Sequence, residues 1–198
     1  MIWIMPPTAA YTLPSPLNEL PEKDRRIRCF SVNEQVFSQG EHTRGVFYLV
    51  SGEVKMVRVT EDGHEILIHR AVADTLFAEA SLFTETYHCD AIVSKDAYLV
   101  ECSRASILRA YKSDTDFSTA IGALFAEQLQ TTRKRLELLS IRNAEERVFA
   151  ALVEGLLIDD VKSFAVDIGL SAEATYRALG KLSKVGKIRK TGYGRYEI

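Results

Sequence analysis

Short apolar runs rich in β-branched and aromatic residues dominate the chain between residues 27 and 102. Runs at 46–50, 54–59 and 66–68 follow one another at intervals of about ten residues, and further runs lie at 91–93 and 98–100. Ser51 and Gly52 are expected to end the first run, and residues 61–63 form the next turn. The glycines expected in turns, where a positive φ is favoured, are Gly40, Gly45, Gly52 and Gly63. This pattern predicts an antiparallel barrel or sandwich.

The periodicity becomes helical after Ser103. Apolar positions then step by four, three, four and three residues along Phe125, Leu129, Thr132, Leu136 and Leu139, which is typical of a heptad seam. Polar residues on either side leave only a narrow apolar stripe, so we predict that this helix pairs with its own copy in a dimer. A helix packed on its own domain is the alternative that two heptads leave open. Residues 144–157 predict a further helix, whose buried side is expected to hold Val148, Phe149, Leu152 and Val153.

Residues 161–182 have the spacing of a helix-turn-helix. With Val161 as position one, Ala165 falls at position five, where two helices approach closely, and Gly169 falls at position nine, where the turn needs a left-handed residue. Thr175, at position fifteen, is less apolar than usual. We expect Ser171 to cap the second helix and Gly186 to end it. Residues 188–198 then predict two short strands of a wing around a turn at 191–194.

Charge supports a nucleic-acid-binding end. The 198 residues carry a net charge of -2, but residues 171–198 contribute +5 and the first 170 residues -7. A basic end on an acidic body indicates that the C-terminal part meets a polyanion, whereas a solvated basic face is the alternative. All five prolines lie in the first 21 residues, which predicts an extended arm there and argues against a membrane span. The three cysteines fit neither a disulfide framework nor a zinc pattern, so we expect a cytoplasmic protein.

Five segments of the chain resemble the CRP/FNR (cyclic-AMP receptor protein / fumarate-nitrate regulator) superfamily of bacterial transcription regulators: 38–41, 47–54, 62–63, 77–83 and 171–177. The resemblance implies an α+β protein with an N-terminal antiparallel β-roll of the jelly-roll, cyclic-nucleotide-binding type, a long dimerisation helix and a C-terminal winged helix-turn-helix. We assign residues 1–26 to the arm, 27–114 to the sensor, 115–140 to the dimerisation helix and 141–198 to the DNA-binding domain. The expected partners are double-stranded DNA, a second copy of the chain and RNA polymerase.

The resemblance also assigns roles in DNA binding. The expected base-reading residues are Ala172, Glu173, Tyr176 and Arg177. The expected phosphate contacts are Ser171, Lys181, Lys184, Lys190 and Arg195. Glu173 and Arg177 are four residues apart and therefore share one helix face, from which Arg can bind guanine and Glu can accept from cytosine. The same two residues could instead form a surface ion pair.

The candidate effector site departs from the pattern of cyclic-AMP binders. Its residues by resemblance are Glu79, Ala80, Ser81, Cys89, Asp90, Gln128 and Thr132. Ala78 replaces a glycine, and Cys89 with Asp90 replaces the Arg-Ser pair that binds the cyclic phosphate. Asp90 is expected to repel an anion, so we predict that cyclic AMP is not the effector and that no cofactor is bound. The effector is unknown; an apolar or cationic ligand and a dormant pocket are both compatible with the sequence.

Other sensing chemistries and other function classes are weaker hypotheses. An iron–sulfur cluster needs four thiolates, and only Cys29 lies near the N-terminus. Haem binding stays an open hypothesis, because the chain has possible haem ligands: His42, His64, His69, His88 and Cys89. Cys89 and Cys102 could be redox-active, although inert buried thiols are the expectation. The sequence has no nucleophile elbow, phosphate loop or His-Glu-x-x-His motif, so we predict no enzyme and no metal site. A ligand-binding module whose C-terminal end docks a protein is the alternative to a DNA-binding regulator.

Overall fold

The computed structural model describes residues 11–157, 160–192 and 194–198. The chain forms two compact units that meet in sequence between Ala123 and Leu124. Helix α2 (Thr115–Ser140), which has the bounds expected of the dimerisation helix, begins in the first unit and ends in the second.

The first unit is an antiparallel β-roll. Its strands are β1 (Arg25–Phe30), β2 (Gln35–Phe37), β3 (Gly45–Val59), β4 (Glu65–Val72), β5 (Thr75–Phe77) and β6 (Asp90–Ser103), and helix α1 (Arg104–Ser113) follows them. The order of neighbours is β1, β6, β3 and β4, while β2 pairs with β6 and β5 with β3. Every one of these pairings is antiparallel, so the predicted fold of this part is confirmed.

Strand β3 is longer than the sequence predicts. Ser51 and Gly52 do not end a strand, because β3 continues through them and stays paired with β6. The register shifts there, and Gly52 takes a φ of +98° with its α-carbon so close to β6 that a Cβ would overlap the carbonyl oxygen of Asp96. Gly52 is therefore a bulge rather than a turn. Gly45 is not in a left-handed turn either; it begins β3, where a Cβ would overlap the carbonyl oxygen of Cys102.

The core of the β-roll is built on aromatic rings. Phe37 stacks on Tyr87 with ring centroids 3.8 Å apart, and Phe47 stacks on Phe77 at 5.2 Å. The buried hydroxyl of Tyr87 donates to the carbonyl oxygen of Gly45 at 3.1 Å, so its one polar group is satisfied. These four rings come from β2, β3, β5 and the segment before β6, and their stacking holds these parts of the β-roll together.

Residues 11–24 are not an extended arm. They form two short 3₁₀ turns, Leu17–Glu19 and Glu22–Asp24, and the side chains of Leu13, Leu17 and Leu20 are buried. Asp24 accepts a hydrogen bond of 2.8 Å from the hydroxyl of Ser106 on α1. Prolines stop regular helix here, but they do not prevent apolar side chains between them from packing on the first unit. Residues 1–10 of the predicted arm lie outside the described residues.

The second unit is helical with a small hairpin. It contains α3 (Ala144–Val153), α4 (Val161–Asp167), α5 (Ala172–Lys184), β7 (Arg189–Gly192) and β8 (Arg195–Glu197). Helix α3 ends at Val153, four residues before the predicted end, and Val153 is exposed rather than buried. Val148 and Leu152, four residues apart, hold the inward face of α3, and Val153 lies about 100° further round the helix. Tyr193, in the predicted wing turn, lies outside the described residues.

Candidate nucleic-acid interface

Helices α4 and α5 form the predicted helix-turn-helix. Asp160 caps α4, because its Oδ1 accepts from the backbone N–H groups of Lys162 and Ser163 at 2.8 and 3.0 Å. Gly169 has the predicted left-handed conformation, with a φ of +64°. A Cβ at Gly169 would also lie 2.8 Å from Cδ2 of Leu139, so close packing is a second reason for glycine. The turn therefore has a fixed conformation, which sets the direction in which α5 leaves it.

The start of α5 follows from local hydrogen bonds. Ser171 caps the helix as predicted, since its Oγ accepts from the backbone N–H of Ala174 at 3.1 Å. Thr175 is fully buried, and its hydroxyl donates to the carbonyl oxygen of Ser171 at 3.0 Å. Thr175 thus contributes its methyl group to the core while its hydroxyl is satisfied, which accounts for a threonine at this apolar position. Gly186, with a φ of +74°, follows the end of α5 as predicted.

The outer face of α5 carries the residues expected to read bases. Glu173, Tyr176 and Arg177 are exposed, and Ala172 is half-buried. Nη1 of Arg177 lies 3.9 Å from Oε1 of Glu173, so the ion pair considered from the sequence is present. Both side chains are more than two-thirds exposed, at 71% for Arg177 and 83% for Glu173, and such pairs contribute little to stability. Both groups are therefore accessible to a ligand.

The expected phosphate contacts lie on α5 and on the β7–β8 hairpin. Ser171, Lys184, Lys190 and Arg195 are exposed. Lys181 is exposed as well, but its Nζ lies 2.6 Å from Oε1 of Glu145 at the start of α3. On the hairpin, Arg189 forms a 2.8 Å ion pair with Glu197 across the two strands.

Arg147 and Glu145 on α3 are two residues that the sequence pattern does not single out. Arg147 donates from Nε to the carbonyl oxygen of Ile141 at 2.8 Å and from Nη1 to that of Ile168 at 3.1 Å. It therefore joins the link between α2 and α3 to the helix-turn-helix turn. No spacing rule reveals this contact, because Arg147 and Ile168 are 21 residues apart.

The predicted seam on α2 is an apolar stripe at the protein surface. Leu129, Leu136 and Leu139 are 51%, 61% and 36% exposed, Phe125 is half-buried and Thr132 is exposed. Leu138, which lies between two seam positions, is buried and packs in the core of the second unit. One side of α2 therefore packs in the second unit, whereas Leu129 and Leu136 lie on another side. Leu139 borders both, because its Cδ2 lies beside Gly169.

The candidate effector residues in the β-roll lie around a short 3₁₀ turn, Glu79–Ser81. Ala78 precedes the turn with a φ of +65°, a left-handed conformation that is rare outside glycine. Ser81 is buried, Ala80 is exposed, and Oγ of Ser81 lies 3.0 Å from Nδ1 of His88. Burial raises the pKa of the Glu79 carboxyl above its ordinary value. This turn therefore presents a carboxyl group rather than a cation.

Cys89 and Asp90 stand at the start of β6. The Cys89 side chain is buried, and burial raises the pKa of its thiol to about 11. Asp90 Oδ1 accepts from the backbone N–H of Gln39 at 2.8 Å and from Nε2 of Gln35 at 3.1 Å. One carboxylate oxygen of Asp90 is therefore already bound by residues on and beside β2.

Gln128 and Thr132 belong to the part of α2 in the second unit, where the hydroxyl of Thr132 donates to the carbonyl oxygen of Gln128 at 2.9 Å. The candidate effector residues are thus divided between the two units.

Within the described residues, His, Cys, Asp and Glu side chains form no group of three suited to a metal ion. A helix with the length and apolar character needed to cross a bilayer is also absent from that part of the chain.

Comparison with known proteins finds a matching domain and relatives that cover most of the chain. Residues 27–114 match the family described as "Cyclic nucleotide-binding domain". The chain is 24% identical to the nitrogen fixation regulation protein FixK of Azorhizobium caulinodans, covering 92% of this chain and 86% of that protein. It is 26% identical to the cyclic AMP receptor protein of Thermus thermophilus, covering 86% and 82% of the two chains. Residues 27–114 are thus a cyclic nucleotide-binding domain, and the chain is similar over most of its length to transcription regulators of the CRP/FNR type.

The fold agrees with this family. The structure of FixK2 from Bradyrhizobium japonicum superposes with a TM-score of 0.72 and covers 88% of this chain and 92% of that one, at 20% sequence identity. The predicted resemblance and fold class are therefore confirmed. CRP/FNR proteins are regulators and not enzymes, in agreement with the prediction from the missing catalytic motifs.

Proposed function

We propose that this protein binds double-stranded DNA in a sequence-specific manner as a homodimer and regulates transcription in the cytoplasm together with RNA polymerase. The observation that carries the proposal is the exposed face of α5. A helix-turn-helix with a fixed turn presents Glu173, Tyr176 and Arg177 to solvent, and a basic hairpin follows it. Such a helix fits the major groove, with its first turns at the base edges.

The proposed dimer follows from the seam on α2. Leu129, Leu136 and Leu139 leave a row of apolar surface that a second copy of α2 would cover. Two-fold pairing would also present two α5 helices to successive major grooves, which are about 34 Å apart on one side of DNA. Homodimerisation therefore accounts for both the stripe and the need for a paired recognition surface.

We further propose that cyclic AMP does not control this protein. At the position of the family's phosphate-binding arginine stands Cys89, a buried thiol that carries no charge at pH 7, and burial raises its pKa to about 11. The Asp90 carboxylate adds negative charge beside it, and Glu79 contributes a carboxyl group that supplies no positive charge. Arg58 is the competing observation, since it donates from Nε to the carbonyl oxygen of His88 at 3.0 Å. Because Nε is already bound to this carbonyl oxygen, we expect that Arg58 does not bind a phosphate in the bidentate manner of the family's arginine.

Selection of bound sequences from a random DNA pool tests the function. We expect enrichment of a two-fold symmetric site whose half-sites are about one helical turn apart. Binding to the enriched duplex and to a scrambled duplex is then measured at several salt concentrations by fluorescence anisotropy. An absence of enrichment, together with equal and weak binding to both duplexes, would contradict sequence-specific regulation and favour protein docking.

A further inference from the structure

An acidic residue on α3, Glu145, binds one of the cations of the predicted DNA-binding surface. Oε1 of Glu145 lies 2.6 Å from Nζ of Lys181, and the two residues belong to different helices, α3 and α5. Lys181 follows Arg177 by four residues, so it lies on the face of α5 that carries Arg177. The carboxylate therefore neutralises a lysine beside the base-reading positions.

A cleft between α3 and α5 surrounds this ion pair. It has a volume of about 280 Å³ and is lined by Ala144, Glu145, Ala174, Arg177, Ala178 and Lys181. Three of the six lining residues are alanines, so the charged groups of the cleft are the carboxylate of Glu145 and the two cations. The Lys181 and Glu145 side chains are 65% and 40% exposed, which leaves the pair accessible to a competing anion.

We propose that Glu145 is an affinity-limiting residue that competes with DNA phosphate for Lys181. This inference rests on the proposed DNA-binding function. A phosphate and a carboxylate are both acceptors for a lysine ammonium group, so a DNA phosphate gains Lys181 only by displacing Glu145. The free energy of the Lys181–Glu145 ion pair is therefore lost on every duplex on which Lys181 reaches a phosphate. Glu145 thus weakens binding to the preferred site, and it weakens binding to random DNA by that amount or less.

The test is a double-mutant cycle with E145Q and K181A, measured on the selected duplex and on a scrambled duplex. We expect E145Q to tighten binding to the selected duplex about two- to five-fold, the range of a surface ion pair, and to tighten binding to scrambled DNA by that factor or less. The salt dependence of DNA binding should steepen by about one unit, because Lys181 then acts on a phosphate without the opposing charge of Glu145. In the E145Q background, K181A should remove the gain.

The matched control is E146Q. Glu146 is the next residue in the first turn of α3, is exposed, and its removal changes the net charge by the same amount. Equal tightening by E145Q and E146Q would mean that only overall charge matters and would overturn the proposal. So would a gain in E145Q that survives K181A. If the unaltered protein binds no DNA, the proposed function fails; if it binds a preferred site but E145Q changes nothing, only the role of Glu145 fails. Thermal unfolding of each variant checks that the fold is retained.

Discussion

The guanidinium of Arg147 donates a hydrogen bond of 3.1 Å to the carbonyl oxygen of Ile168, at the turn that joins α4 to α5. A second hydrogen bond, from its Nε to the carbonyl oxygen of Ile141, ties the same side chain to the link between α2 and α3. Arg147 is half-buried, and hydrogen bonds from a charged donor are stronger than neutral ones. One side chain therefore fixes the turn that orients the proposed recognition helix.

Replacing Arg147 with methionine tests this contact. We expect the free energy of unfolding of the second unit to fall by about 1–3 kcal/mol, because the carbonyl groups lose a charged donor. Hydrogen exchange at the amides of residues 168–171 should quicken, and affinity for the selected DNA should fall. Arg142→Met, at an exposed position in the same link, is the control. Equal losses in both variants would mean that the effect is one of charge and not of the turn.

Leu136→Lys tests the dimer seam. Leu136 is the most exposed of the seam leucines, and a lysine there would place two like charges across a two-fold interface. Sedimentation equilibrium should show a monomer, and affinity for the symmetric site should collapse. Glu137→Lys, an exposed neighbour outside the seam, should stay dimeric. A dimer that persists in Leu136→Lys would place the contact between copies on another surface.

Arg177→Ala tests base reading. We expect a loss of about 1–3 kcal/mol at the preferred site and a flattened preference at one G·C pair, because the bidentate contact to guanine is removed. Lys190→Ala should instead weaken all DNA alike and lower the salt slope by about one unit. Anisotropy on the selected and scrambled duplexes separates the two patterns. Equal losses on both duplexes for Arg177→Ala would make it a phosphate contact.

Calorimetry tests the effector. Titration with millimolar cyclic AMP should give no saturable heat, because Cys89 supplies no charge to the cyclic phosphate. The cyclic AMP receptor protein of Thermus thermophilus serves as the positive control. Saturable binding in the micromolar range would overturn the proposal. It would mean that another cation binds the cyclic phosphate, with Arg58 as the first candidate.

The buried thiols make a pH prediction. Burial raises the pKa of Cys89 to about 11 and that of Cys102 to about 12, while Cys29 is exposed. A thiol reagent at pH 8 should label Cys29 in the folded protein, and the other two only after unfolding. The unfolded chain loses these two protons near pH 9 and the folded chain only at higher pH, so the free energy of unfolding should fall between about pH 9 and 11. Rapid labelling of Cys89 at pH 8 would revive a redox role.

The helix-turn-helix could be predicted almost residue by residue, because its determinants are local. The cap at Ser171, the left-handed Gly169 and the buried faces of α4 and α5 depend on spacings within a turn or two of helix. The strands were located by the same kind of pattern, but their lengths were not. Whether β3 ends at Gly52 or continues as a bulge depends on β6, which lies about 40 residues further along the chain and pairs on both sides of it.

The sequence by itself determined the order of parts, the β-roll, the long helix and the winged helix-turn-helix, since each has a periodicity or a turn signal that neighbouring residues carry. Only the tertiary structure decided which polar groups meet. Asp90 stands where the sequence pattern expects it, yet Gln39 and Gln35 bind one of its oxygens from 51 and 55 residues away. Lys181 is a basic residue on α5, but its charge is neutralised by Glu145, 36 residues earlier in the chain. Charged side chains are long and flexible, and their partners are chosen by the packing of helices and strands that no local pattern records.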